Sequence, residues 1–202
     1  MTDDTADTPR VPLPVGTTGT SANGWYGMWG LVATEGSLFG FLLFGYYYLL
    51  FHNTGPWPPD GLPSLRISGP GTLILLASSG VIWWAEHHVR KGRRAVGALI
   101  VALTLAMGVV FVALQLKEWA GRSFAFGGTP YSSLYFTITG FHMAHVVVGL
   151  LVLLALLVWT ALGYFDGRRN AVFRIGALYW HFVDVVWLFV FSTFYLSPYL
   201  LR

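Results

Sequence analysis

Residues 133–162 read SLYFTITGFHMAHVVVGLLVLLALLVWTAL, a run with no Asp, Glu, Lys or Arg. A helix needs about 20 predominantly apolar residues to cross the hydrocarbon core of a bilayer, so this stretch by itself reads as a transmembrane span. Its length leaves room for tilt or for an extension into the headgroups. Four more segments share its character: Trp25–Phe51, Gly71–His87, Ala95–Lys117 and Val172–Leu196. The chain of 202 residues is 55% hydrophobic and only 10% charged, against about 25% charged in a soluble domain. No alternating strand pattern of the barrel type interrupts these runs. The expected fold is therefore an all-α integral membrane protein, a bundle of five transmembrane helices occupying residues 25–202.

What flanks the spans is polar or rich in helix breakers. Residues 1–24 are rich in Thr, Asp, Pro and Gly. They lack the apolar run of a cleaved signal peptide, so they read as a flexible tail and the first span as the insertion signal. Pro56, Pro58 and Pro59 forbid a helix between the first two spans, so that connection is expected as a loop. Basic residues orient the bundle. Arg10, Arg90, Lys91, Arg93, Arg94, Arg168, Arg169 and Arg174 fall on one side, against Arg66, Lys117, Arg122 and Arg202 on the other. The expectation is an N-terminus inside and a C-terminus outside. The net charge of +3 includes no basic stripe that would call for nucleic acid. Without cysteine, disulfides, iron–sulfur clusters and thiolate metal sites are excluded.

Aromatic and small residues give further expectations. Trp25, Trp29, Trp57, Trp83, Trp84, Trp119, Trp159, Tyr179 and Trp180 read as interfacial anchors. Gly36-x-x-x-Gly40 and the Ala98, Ala102, Ala106 series read as helix-contact faces.

The residues most costly to place in a membrane carry the most information. Glu35 lies inside the first span, His142 and His145 inside the fourth, and His181 and Asp184 inside the fifth. An ionisable group at mid-membrane costs at least ~2.5–3.5 kcal/mol on insertion scales, so each is expected to face protein, water or headgroups. Two readings compete. One is a metal or haem site in which His142 and His145, three apart on one helix face, oppose His181 and Asp184. The other is a hydrogen-bonded network tying the fourth and fifth spans together, with Glu35. Glu86, His87 and His88 at the end of the second span, and Gln115 and Glu118 at the end of the third, read as solvated interfacial groups. No nucleophile–base–orienter triad or phosphate-cradling loop is present, so the chain shows no catalytic site of its own.

Taken in order, these stretches resemble the cytochrome c/quinol oxidase subunit III family along nearly the whole chain after residue 25. Tyr179-Trp-His-Phe-Val-Asp-Val-Val-Trp187 is similar to the family's most recognisable stretch. Thr139-Gly-Phe-His-Met-Ala-His145 followed by Gly149 resembles its fourth-span signature. Thr34-Glu35 followed by Phe39 resembles the helix carrying its membrane-embedded glutamate. Trp84-Ala-Glu-His-His88 and Gln115-x-x-Glu118 match two further patterns. Thr34 stands where many members carry serine, Met143-Ala144 where Gly-Leu is commoner, and Trp119 where tyrosine is usual.

The resemblance implies the five-helix arm of a family whose longer members have seven helices, as in short bacterial forms. It implies a non-catalytic subunit of cytochrome c oxidase in the bacterial inner membrane, one that binds no haem or copper itself. Subunit I, carrying those cofactors, would be its direct partner, with subunit II and a small subunit IV in the same complex. Support of subunit I during turnover and of proton uptake, and bound phospholipid near Glu35, are implied likewise. The alternatives are a quinol oxidase subunit, a nitric-oxide-reductase accessory protein of the same five-helix form, a self-sufficient membrane cytochrome and a small transporter.

Overall fold

A computed structural model describes residues 23–59, 61–165 and 170–200. Residues 1–22 of the expected tail, and Arg10, Arg168, Arg169 and Arg202 of the charge tally, lie outside the described residues. Among those residues there is no strand, and five helices are long and apolar enough to cross a membrane. They are α1 (Asn23–His52), α2 (Leu65–Arg90), α3 (Arg94–Ala120), α4 (Pro130–Ala161) and α5 (Ala171–Phe191). A π-helical turn, Ser192–Leu196, and a short α6, Ser197–Leu200, continue α5.

Local chemistry sets the ends of these elements. Helix α4 begins where Thr129 and Ser132 cap each other reciprocally, with Pro130 in the first turn where its missing N–H costs nothing. It stops at Gly163, whose φ of 80° suits a residue without Cβ. Helix α2 starts six residues earlier than the Gly71 its hydropathy suggests, because the Ser64 hydroxyl accepts from Arg66 N–H. Pro70 is tolerated inside it, at the loss of one backbone hydrogen bond near the helix start. The fifth span, expected as one run to Leu196, changes register instead. The Ser197 N–H reaches back to Ser192 O, the i to i+5 bond of a π-turn.

Helices α2, α3, α4 and α5 pack as a ring, each against the next and α5 back against α2. Helix α1 lies outside that ring on α4 and α5, and of its described residues only Phe39 and Tyr46 are buried. The ring is tightest around Trp180. A Cβ at Gly108 would stand 2.6 Å from Leu150 and 2.8 Å from Trp180, and one at Gly149 2.9 Å from the same indole. These two glycines open the slot that Trp180 fills completely. Trp180 and Tyr179 are therefore core residues, not the interfacial anchors their aromatic character suggests. Trp29, Trp83 and Trp84 do project outward. The helix-contact face of α3 runs through Gly97, Val101, Thr104, Gly108 and Phe111, all buried. Ala106, in the expected alanine stripe, faces outward, as does Gly40.

The described residues of the 53–64 connection are non-helical, as its prolines require. It folds back on the bundle end, with Trp57 against Tyr46 and Tyr131 at ring distances of 5.6 and 5.2 Å.

Candidate functional site: polar groups inside the bundle

The expected intramembrane network of Glu35, His142, His145, His181 and Asp184 resolves into two separate pairings and one solitary ring. On the α1 side, His145 Nε2 lies 3.1 Å from Glu35 Oε2. The other ring nitrogen, Nδ1, meets the Phe141 carbonyl at 2.7 Å. The Phe141 carbonyl can only accept, so Nδ1 donates to it and Nε2 is the atom that faces Glu35. Phe39 presents its edge to the same ring at 5.2 Å.

On the α2 side, His181 and Asp184 meet through a residue the sequence reading passed over. Ser79 donates its hydroxyl to Asp184 Oδ2. With that single proton committed, its oxygen accepts from His181 Nδ1 at 3.0 Å. Asp184 is buried, and its second oxygen has no hydrogen-bond partner. The signal for Ser79 was available in the hydroxyl pair Ser78-Ser79 inside an apolar span. Ser78 in turn accepts from the Trp180 indole at 2.9 Å.

Between the two pairings sits His142, fully buried, with neither ring nitrogen hydrogen-bonded. It stacks on Trp187 at 4.9 Å with an interplanar angle of 29°, walled by Phe111 and Phe39. The four residues of the metal or haem reading do not converge: His145 turns to α1, His181 and Asp184 turn to α2, and His142 is enclosed by aromatic rings. No group of three His, Asp or Glu side chains suited to a metal ion occurs among the described residues.

The second departure lies at the far ends of α3 and α5. Gln115 and Glu118, expected as solvated interfacial groups, are buried, Glu118 to 7% exposure. Its Oε1 accepts from Arg122 Nη2 and from the Tyr195 hydroxyl at 2.7 Å. Tyr195 also receives Arg122 at 3.2 Å and pairs with Tyr135 at 3.1 Å. Since the Tyr195 proton goes to Glu118, Tyr135 is the donor in that last bond. The Arg122 guanidinium lies over the Tyr135 ring at 4.8 Å, a cation–π contact. Burial alone would lower the Arg122 pKa, but the oxygens of Tyr135, Tyr195 and Glu118 outweigh it and raise it. Burial follows because α5 winds into the π-turn here and brings Tyr195 across the end of α3. The sequence did offer one sign, the opposite charges of Glu118 and Arg122 four residues apart.

The other end of the bundle holds the remaining three groups, Glu86, His87 and His88. Glu86 faces Arg174 at 3.7 Å, and Arg174 lies over Trp25 at 5.4 Å. His87 is exposed, and His88 Nδ1 contacts the Trp84 carbonyl at 3.1 Å.

Comparison with known proteins adds what geometry cannot. A family model described as cytochrome c oxidase subunit III matches residues 21–199. Cytochrome c oxidase subunit 3 of Ornithorhynchus anatinus is 37% identical over 166 residues, 77% of this chain and 64% of that protein. The Coturnix japonica protein of the same name is 34% identical over 181 residues, 84% of this chain and 68% of its own length. That of Danio rerio is 35% identical over 166 residues, 77% and 64% respectively. The chain thus spans about two thirds of the length of these relatives. It belongs to the cytochrome c oxidase subunit III family.

Proposed function

We propose that this multi-pass membrane protein serves as subunit III of a haem-copper terminal oxidase in the bacterial inner membrane. In this reading a polar tail over 1–24 precedes a single transmembrane domain, with the N-terminus inside and the C-terminus outside. The chain carries no redox centre. It packs against subunit I, with subunit II and a small subunit IV in the same complex, which passes electrons from cytochrome c to dioxygen. Its contribution is to stabilise subunit I during turnover and to support proton uptake, with phospholipid held near Glu35.

The observation that carries the reading is the family match across residues 21–199. The interior chemistry agrees with it. His145 is committed to Glu35, His181 to Ser79, and His142 stacks on Trp187. These are the uses of histidine that tie helices together, each contact spanning a pair of helices. Glu35 combines partial exposure with a histidine partner, as suits a carboxyl that meets both the bundle and what lies beside it.

The test is co-purification of the tagged chain in mild detergent, with its companions identified by mass spectrometry. Recovery with oxidase subunits I and II supports the assignment. Recovery with nitric oxide reductase subunits transfers it to that relative, and recovery alone with bound haem overturns it.

A further inference from the structure

The connection from α2 to α3 gathers Arg90, Lys91, Arg93 and Arg94 into five consecutive positions, all exposed. None of the four has an ion-pair partner among the described residues. The nearest acid on α2, Glu86, faces Arg174 instead. The turn is fixed, not loose: Gly92 takes a φ of 71° and Arg93 N–H donates to His88 O at 3.0 Å. Arg94 packs beside Gly163, where a Cβ would lie 2.6 Å from its Nη1. That contact braces the basic tip against the end of α4.

The stems beneath this tip are apolar and face outward: Trp83 and Trp84 on α2, Val96 and Leu99 on α3. At 1.5 Å per residue, Trp83 and Leu99 lie only about 10 Å below the tip. Four cations with no ion-pair partner among the described residues therefore stand one headgroup layer above side chains that belong in hydrocarbon. Among the described residues at the opposite end only Arg66 and Lys117 are exposed cations, since Arg122 is engaged by Glu118.

We infer that the α2–α3 hairpin is a docking patch for the phosphodiester headgroups of anionic phospholipids in its own leaflet. Long basic side chains reach the phosphates while the indoles of Trp83 and Trp84 lie at the boundary below. The apolar stems select a lipid surface over a soluble phosphate, which would gain nothing from them. This site is separate from Glu35, on the far side of the ring from α1.

The full chain, reconstituted in phosphatidylcholine vesicles, tests this with spin-labelled phosphatidylglycerol and spin-labelled phosphatidylcholine as probes of the lipid held at the protein surface. The wild-type chain is expected to prefer phosphatidylglycerol, and R90Q/K91Q/R93Q/R94Q to lose roughly fivefold or more of that preference. R66Q/K117Q should keep it. In 1 M salt, where the screening length falls to about 3 Å, the wild-type preference should collapse. If the quadruple variant fails to fold, R90K/R93K/R94K, which retains the charge, should bind as wild type, and the salt titration still decides. Undiminished preference in a folded quadruple variant overturns the inference. So does its loss to inorganic phosphate at matched ionic strength, which would mark a simple anion site.

Discussion

Glu118 and Glu35 are both acids within apolar helices, and they were solved in opposite ways. Glu118, two residues from the end of α3, is 7% exposed and closed in by Arg122, Tyr195 and Tyr135. Glu35, well inside α1, retains 30% side-chain exposure and one partner, His145. Position along a helix therefore does not measure burial within the bundle. Helix α1 lies outside the four-helix ring, so even its middle is partly open. Helix α3 stands within the ring, so even its end is covered.

The largest effect is expected where an ion pair is enclosed in protein. Arg122→Ala leaves the Glu118 carboxylate buried without its cation, and should cost about 3–5 kcal/mol in unfolding free energy measured in mixed micelles. Glu118→Gln with Arg122→Met should recover most of that loss, because replacing a buried pair is much cheaper than breaking it. A double variant no more stable than Arg122→Ala would break the comparison. Tyr195→Phe comes next: it removes the hydroxyl donor at 2.7 Å from Glu118 and should cost about 1.5–3 kcal/mol by the same measurement.

On the α1 side the numbers should shrink. Glu35→Gln is expected to lower stability by only about 1 kcal/mol. Under the proposed function it should nevertheless alter retention of the subunit in the oxidase, or the rate at which activity is lost during turnover. A loss as large as that of Arg122→Ala would mean that α1 is as integral to the bundle as α3. Smallest of all, Thr34→Val should change stability by about 0.5 kcal/mol or less. Its hydroxyl bonds only its own helix, to Leu31 O at 2.9 Å, and faces outward.

The same contrast explains how far the sequence could be read. The five spans were legible because hydropathy depends on composition alone, and residues 133–162 announce themselves. Glu35, His145, His181 and Asp184 were legible as costly groups for the same reason. Their partners were not, because pairing depends on the ring order of the helices. Glu35 meets His145 since α1 lies on α4, and Asp184 meets Ser79 since α5 closes on α2. Nor was the burial of Trp180, which needs glycines at 108 and 149 on two other helices. The π-turn left no trace in hydropathy, yet it carries Tyr195 to Glu118.

Under the proposed function, the most direct test is the visible spectrum of the oxidase that co-purifies with this chain, before and after the chain is stripped from it in detergent. The haem bands should remain with the stripped enzyme at full intensity, and the released chain should show none. Haem absorption travelling with the released chain would contradict the account, and would return His142, His145 and His181 to the role of ligands.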